Sequence, residues 1–439
     1  MANSKTQALL IWTVALILLS AHSYADAYVT GRIIDEVTQM PINGAFVVLN
    51  NETVQTDEKG KFTLKGTGNK ITIKAYGYMR AEQQLPSSSF FTLPVEIKLK
   101  PFTPKALYLT FYGIGDRTLR ESALRLINET ELNSLVIDVK GDRGLITYKS
   151  SIPPASEAGA QKPIIVKDIK GLIKSFKEKG IYTIARIVVF KDNTLGSAKP
   201  DWTIRAQDGG VWRDRENLIW VDPFKKEVWN YNIDIAVEAA QNGFDEIQFD
   251  YVRFPDKNGL GFSMPNTEEN RVKAITGFLA EAKRRLAPYN VFLAADIFGY
   301  VAWNLNDTQI GQKIESLAQH VDYISLMLYP SGFQFGIPGY RNPVANPYNI
   351  VYLSLKKSQQ RTQIHSVRFR PWLQAFKDYA FDKRYFTGQE IRDQIKAAEE
   401  FGANGWMLWN PRNVYSPDGL KKKAVLSNVK AKPDGSSYI

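Results

Sequence analysis

The stretch Gly243-Phe244-Asp245-Glu246-Ile247-Gln248-Phe249-Asp250-Tyr251-Val252-Arg253-Phe254-Pro255 decides the fold of this chain. A helix is predicted to end at Asn242-Gly243, and a short apolar strand follows in which Ile247 and Phe249 alternate with a polar residue. This strand ends with a carboxylate, Asp250, and Pro255 further along cannot continue the pairing of the strand with its neighbours. A strand that stops on an acid is typical of the catalytic face of a parallel barrel.

Strand and helix patterns alternate on both sides of this stretch, which predicts a parallel sheet covered by helices. Eight apolar strands are predicted, at Ala106–Tyr112, Ser134–Val139, Tyr182–Phe190, Glu246–Tyr251, Val291–Ile297, Tyr323–Tyr329, His365–Leu373 and Gly405–Trp409. Eight such units over about 320 residues are the expected number for an α/β fold of the (β/α)8 TIM-barrel type. The alternative is an open doubly wound sheet, but the G-x-G-x-x-G fingerprint of one type of such sheet is missing.

The residues before the barrel predict a small all-β sandwich, because short runs with period-two alternation are separated by turn signals. The predicted domains are a signal peptide at 1–25, the sandwich at 26–100, a linker at 101–104, the barrel at 105–425 and a C-terminal tail at 426–439. The sandwich carries no cluster of His, Ser or carboxylates that would suggest catalysis.

Residues 1–25 resemble an export signal, with Lys5 before an apolar run and small residues before Asp26. The run is short for a membrane span, so no stable span is expected after cleavage, although an uncleaved anchor is the alternative. The chain contains no cysteine, which excludes disulfides and cysteine catalysis. We therefore expect a periplasmic or secreted protein that acts as a monomer.

The chain is basic, with 56 Lys and Arg against 45 Asp and Glu and a formal net charge of +11. No long basic tract or nucleic-acid motif is present, so no nucleic-acid partner is expected. An anionic polysaccharide is one interpretation of this charge, and a solvated basic surface is the other. The 9 Trp and 21 Tyr supply flat side chains that could stack on sugar rings, although most must serve packing.

Two strand ends carry the candidate catalytic pair, Asp250 at the end of strand 4 and Asp296 at the end of strand 5. Glycoside hydrolysis needs two carboxyl groups at the scissile bond, one of which is kept protonated. Adjacent strands could place the two groups face to face, with Asp250 as nucleophile or stabiliser and Asp296 as general acid. The structural alternatives are a pair between Asp250 and Arg253 and a satisfied buried acid at 296.

Further polar and aromatic residues near the strand ends predict a sugar-binding cleft; they are Tyr112, Asp138, Lys140, Arg186, Gln248, Arg253, Trp303, Tyr329 and Trp409. Asp138 could hold substrate or pair with Arg186 inside the barrel. Lys140 could equally be a solvated loop residue, and the aromatic residues could instead cap the barrel or pack under loops. The three histidines are far apart and have no metal-ligand spacing, so neither a metal nor another cofactor is implied.

The barrel resembles the bacterial "putative glycoside hydrolase" domain family, a TIM-barrel group distantly related to α-amylase-like enzymes. The resemblance rests on the opening stretch together with Asp138-Val139-Lys140, Ala295-Asp296-Ile297-Phe298-Gly299, Tyr323–Pro330 and Trp406-Met407-Leu408-Trp409-Asn410. Val29-Thr30-Gly31-Arg32-Ile33 and Thr56–Phe62 are similar to the carboxypeptidase regulatory-like, transthyretin-type sandwich, which is usually an accessory module. The resemblance implies a carbohydrate-cleaving barrel and gives no substrate.

Strand 4 also differs from better-known relatives. Family-18 chitinases end this strand D-x-x-D-x-D-x-E, whereas Gln248 replaces the middle aspartate here and Val252 stands in place of the acid. We therefore expect an exported glycoside hydrolase that acts on a polysaccharide or oligosaccharide without chitinase-type chemistry. The alternative is a barrel that binds polysaccharide and does not cleave it.

Overall fold

The computed structural model describes residues 28–85 and 94–423, so the predicted signal peptide and C-terminal tail lie outside the described residues. The chain divides into two compact units, one formed by residues up to 73 together with 81–99, and the other by 74–80 and the residues from 100 onward. Among the described residues, no helix is both long and apolar enough to cross a membrane.

The described residues of the N-terminal unit form seven strands: β1 (Tyr28–Asp35), β2 (Phe46–Leu49), β3 (Glu52–Gln55), β4 (Lys61–Lys65), β5 (Lys70–Lys74), β6 (Ala81–Gln84) and β7 (Val95–Leu99). They form a three-stranded sheet in the order β4-β1-β7 and a four-stranded sheet in the order β3-β2-β5-β6. In β4 the side chains alternate between buried and exposed, as expected for a sheet with one face on a core. The predicted sandwich class is confirmed.

The C-terminal unit is a closed barrel of eight parallel strands: β8 (Lys105–Leu109), β9 (Ser134–Lys140), β10 (Tyr182–Val188), β11 (Glu246–Asp250), β12 (Phe292–Phe298), β13 (Tyr323–Met327), β14 (Trp372–Gln374) and β15 (Trp406–Trp409). The strands pair in chain order and β15 closes on β8. Most strand residues are buried, which is why these segments are apolar runs in the sequence. The predicted barrel fold is confirmed.

Helices lie between the barrel strands. The α-helices span Arg117–Glu129, Pro153–Glu157, Ile169–Glu178, Asn193–Ala198, Lys226–Gln241, Glu268–Leu286, Ile314–Leu317, Pro347–Thr362 and Gly388–Phe401. Several begin at side-chain caps; Asp116, for example, accepts from the backbone N–H of Leu119. Their buried faces join the outer sides of the strands in one large apolar core.

The seventh strand of the barrel, β14, differs most from its predicted bounds, His365–Leu373. The strand begins only at Trp372, and a 3-10 turn occupies Ser366–Arg368. Pro371 lacks the N–H that a continuous ladder would need, so the pairing is interrupted between Phe369 and Trp372. The apolar pattern therefore located the strand but extended it too far toward the N-terminus.

Candidate active site

The interior of the barrel holds polar residues in two layers. The lower layer, at the N-terminal ends of the strands, joins Arg370 to Glu246 with a nitrogen–oxygen distance of 2.6 Å. Tyr182 donates to the same carboxylate at 2.9 Å. This layer lies at the end of the barrel that normally serves stability, so we assign it no catalytic part.

The upper layer is organised by Arg186 of β10, which is fully buried. Its Nε and Nη2 both donate to Oδ2 of Asp250, at 2.9 and 2.5 Å, and its Nη1 donates to Asp138 at 2.7 Å. Nη2 also reaches the half-exposed Asp142 at 3.2 Å. One guanidinium thus serves three carboxylates, and removing it would leave buried charge uncompensated.

The second oxygen of Asp250, Oδ1, is bound by the backbone of the next residue, Tyr251. Tyr251 has a φ of 48°, a left-handed conformation that is strained for a bulky residue. This turn lets the Tyr251 N–H donate to Oδ1 of Asp250 at 2.6 Å. Both carboxylate oxygens are therefore oriented, and the strain lies directly beside the candidate nucleophile.

Asp296 lies on the neighbouring strand in a different environment. Its Oδ1 accepts from Gln248 Nε2 and from Trp372 Nε1, each at 2.6 Å, while its buried Oδ2 has no hydrogen-bond partner within the described chain. Burial raises the pKa of Asp296 well above its ordinary value, and the charge of Asp250 raises it further. A neutral carboxyl with a free oxygen is what a proton donor requires.

Asp138 of β9 is also buried and completes the network. Tyr108 and the Phe111 N–H donate to its Oδ2, at 2.8 and 3.1 Å. Burial raises the pKa of Asp138 to about 6, and this outweighs the opposing effect of the Arg186 charge. The structure thus places Asp138 in the internal pair with Arg186, one of the two alternatives that its position allowed.

An aromatic wall stands beside the carboxylates. Tyr108 and Trp409 stack with their ring centres 4.0 Å apart, and Trp372 meets Trp409 edge to face at 5.3 Å. Trp409 and Tyr329 are half-buried at the strand ends. Burial raises the pKa of Tyr329, and the charge of Asp250 raises it further, so its hydroxyl remains a neutral donor near both aspartates.

Two predicted sugar-binding residues, Lys140 and Trp303, do not contact the candidate aspartates and have other partners. Lys140 is fully buried in an ion pair with Asp192 at 2.6 Å, so its ammonium group is not available to a sugar or to solvent. Trp303 packs against the outer core and donates its Nε1 to Ser354 at 2.9 Å. The expectation that Lys140 binds substrate is corrected, because its ammonium group is sealed in this ion pair. For Trp303, which is half-buried, substrate binding stays a prediction.

The remaining candidates fall into two groups. Gln248 and Arg186 are fully buried and contact the aspartates, so they position the pair rather than face solvent. Tyr112 is 60% exposed and lines a smaller cavity beside Asp138. Arg253 does not pair with Asp250, and lines a separate cavity after β11. The alternative that Asp250 pairs with Arg253 is therefore wrong, since Arg186 takes that place.

Three residues that contact the aspartates or Arg186 were not among the candidates: Tyr108, Asp142 and Trp372. Tyr108 lies two residues after Ala106 in β8, so period-two alternation could have placed it on the inner face. Asp142 follows the end of β9 and gives no comparable signal, because a loop carboxylate is usually solvated. Among the residues that the structure describes, no group of three His, Cys, Asp or Glu is placed to hold a metal.

Comparison with known families assigns this barrel. Residues 106–415 match the family model described as "Putative glycosyl hydrolase domain". The chain belongs to this family of glycosyl hydrolase domains. It is therefore a glycoside hydrolase, and its substrate is a carbohydrate. Residues 29–105 match the model described as "CarboxypepD_reg-like domain". No protein of curated function matches the chain.

Solved structures similar to this glycosyl hydrolase domain protein include a hypothetical protein from Ruminiclostridium thermocellum, 41% identical over 43% of this chain and 96% of that chain, with a TM-score of 0.39. The PgaB (BpsB) glycoside hydrolase domain from Bordetella bronchiseptica is 13% identical over 71% and 95% of the two chains, with a TM-score of 0.48. The catalytic domain of β-amylase from Paenibacillus polymyxa is 10% identical over 73% and 96%, with a TM-score of 0.46.

Proposed function

We propose that this protein is an exported glycoside hydrolase that acts on a polysaccharide. Two of its carboxyl groups, those of Asp250 and Asp296, cleave the glycosidic bond. The observation that carries the proposal is the contrast between their environments. Asp250 receives two hydrogen bonds from a guanidinium, whereas Asp296 receives only neutral donors and keeps one oxygen free. Paired carboxyl groups with opposed environments are the usual arrangement for an acid and a nucleophile or base.

In this mechanism Asp296 donates its proton to the glycosidic oxygen as the bond to the leaving sugar breaks. The carboxylate of Asp250, bound by Arg186, stabilises the positive charge that develops at the anomeric carbon or attacks that carbon directly. Water then adds to the anomeric carbon and gives a proton back to Asp296, which restores the enzyme. Gln248 and Trp372 fix the orientation of Asp296, and the neighbouring rings of Trp409 and Tyr329 offer a face for the sugar. Export is proposed from the signal-like residues 1–25.

A second candidate, a barrel that binds polysaccharide without cleaving it, is favoured by one observation. Asp250 and Asp296 are only 5% and 1% exposed, and both oxygens of Asp250 already have partners. Such groups could serve the stability of the barrel alone. The two candidates share the cleft and differ only in turnover.

The deciding experiment compares the wild type with Asp250→Asn on a broad panel of glycans, measuring both reducing-end release and binding. Hydrolase action predicts that the variant loses turnover by at least a hundredfold while binding changes little. Asp245→Asn is the matched control, because it removes a carboxylate next to the other end of the same strand, where Asp245 bonds Thr183. Tight binding of a glycan that the wild type never cuts would establish the second candidate instead.

A further inference from the structure

A second cavity, of about 650 Å³, opens directly beyond Asp250. It is lined by the segment after β11 and by a loop that follows β10; the lining includes Tyr251, Arg253, Trp212, Trp220, Lys191 and Glu216. This volume falls in the range of small-molecule sites, and Asp250 and Tyr251 are consecutive in the chain. A sugar unit bound in this cavity would therefore neighbour the sugar unit bound at Asp250 and Asp296.

Arg253 is held in this cavity by two aromatic rings. Its guanidinium carbon lies 5.0 Å from the ring centre of Trp220 and 5.1 Å from that of Tyr251. The two rings meet edge to face at 5.5 Å. Cation–π contacts of this kind fix a guanidinium without using its hydrogen-bond donors.

The donors of Arg253 are mostly unused. Nη1 donates to the carbonyl of Phe254 at 3.0 Å, and no other hydrogen bond or ion pair of this side chain is found within residues 28–85 and 94–423. Burial lowers the pKa of Arg253, and this outweighs the opposing effect of the charges of Asp250 and Asp256. A half-buried guanidinium with free donors is thus available to an anion.

Asp250, Asp256 and Asp214 oppose the charge of Arg253 electrostatically, but none of them forms an ion pair with it. Lys191 is already paired with Glu216 at 2.8 Å and with Asp214 at 3.2 Å. The lining carries five cationic and three acidic side chains, and two of the three acids are those that bind Lys191. The excess of positive charge favours an anionic ligand.

We propose that Arg253, framed by Trp220 and Tyr251, binds the carboxylate of an acidic sugar unit, such as a hexuronic acid, in the substrate. The proposal rests on the proposed function, since it places this sugar beside the bond that Asp250 and Asp296 cleave. A planar guanidinium pairs with a planar carboxylate through two parallel hydrogen bonds. A tetrahedral sulfate can accept two hydrogen bonds in the same way, so the test below includes sulfated oligosaccharides. Trp220 and Tyr251 exclude water from the pair and strengthen it.

The test measures binding by isothermal titration calorimetry with hexuronic-acid oligosaccharides, their carboxyl-reduced neutral counterparts and sulfated neutral oligosaccharides. All proteins carry Asp296→Asn so that no ligand is consumed. We expect the hexuronate to bind at least tenfold more tightly than its reduced form, and Arg253→Gln to abolish this difference. Arg125→Gln, which removes one cation from the outer helix Arg117–Glu129, should retain it. Should Arg253→Gln fail to fold, Arg253→Lys keeps the charge but should still lose most of the preference.

Equal binding of the acidic and reduced oligosaccharides, or a preference for the sulfated ones alone, would overturn the proposal. This result is separable from failure of the proposed function. If the wild type cuts neutral glycans without preferring acidic ones, the hydrolase stands and the carboxylate site is wrong. If hexuronate binds through Arg253 and wild type cuts nothing, the carboxylate site stands and the hydrolase mechanism is wrong.

Discussion

Arg186 binds a single oxygen of Asp250 through two of its nitrogens, Nε at 2.9 Å and Nη2 at 2.5 Å. The same guanidinium reaches Asp138 on the opposite neighbouring strand. It therefore ties β9, β10 and β11 together at the end of the barrel where the candidate pair lies. Both stability and catalysis should depend on it.

Replacing Arg186 by Met should destabilise the protein strongly. The change leaves Asp250 and Asp138 buried without their common partner, and breaking a buried ion pair in this way costs about 3–5 kcal/mol. The free energy of unfolding in urea would show this loss. Arg186→Lys should lose less, because a point charge remains although the forked contact does not. Arg117→Met, which breaks the exposed pair with Glu121, is the control and should change stability little.

Replacing Asp296 by Asn should lower kcat by about 10²–10⁴-fold on unactivated glycosides, since the proton donor is removed. The loss should be much smaller on aryl glycosides whose leaving group departs without a proton. A comparison of the two substrate classes measures this. An equal loss on both would show that Asp296 is not the acid.

Replacing Trp372 by Phe should move the basic limb of the pH–rate profile to higher pH. The indole Nε1 donates to Oδ1 of Asp296 and lowers the pKa of that carboxyl, so its removal raises the pKa further. Trp406→Phe is the control, because the buried Nε1 of Trp406 has no partner in the described chain. A limb that stays in place in Trp372→Phe would contradict the role given to Asp296.

The buried carboxyl of Asp138 should make folding stability depend on pH. Its pKa is raised from 3.8 to about 6 by burial, so the folded state binds the proton more tightly than the unfolded state. The stability that it contributes is fully present below pH 3.8 and is lost as the pH rises through about 6, a change of about 3 kcal/mol. Asp138→Asn should flatten this part of the curve of unfolding free energy against pH. An unchanged slope would show that Asp138 does not titrate in this window.

Much of the architecture could be predicted from the sequence because it follows from local patterns. The apolar runs located all eight barrel strands; Asp250 ends β11 as expected, and Asp296 lies two residues before the end of β12. The predicted bounds of β14 began too early, because Pro371 interrupts an apolar run that otherwise looks continuous. The catalytic roles of Asp250 and Asp296 remain predictions.

The partners of Asp250 and Asp296 could not be predicted, because they come from distant parts of the chain, although the pair of Asp138 with Arg186 was one of two alternatives. Trp372 is 76 residues from Asp296, and Arg186 is 64 residues from Asp250. Lys140 is a second example. Its position at a strand end suggested that it binds substrate, but it forms a buried ion pair with Asp192. Only barrel closure determines which inward side chains meet.

The sequence by itself thus determined the alternation of strands and helices, and with it the barrel and the end of the barrel at which the acids lie. Period-two and period-3.6 patterns suffice for this, since they reflect which face of each element is buried. The tertiary structure alone decided that Asp250 is bound by Arg186 and that Asp296 keeps a free, buried oxygen. Burial and neighbouring charge set the proton affinity of a carboxyl, and both arise only when the eight strands have closed.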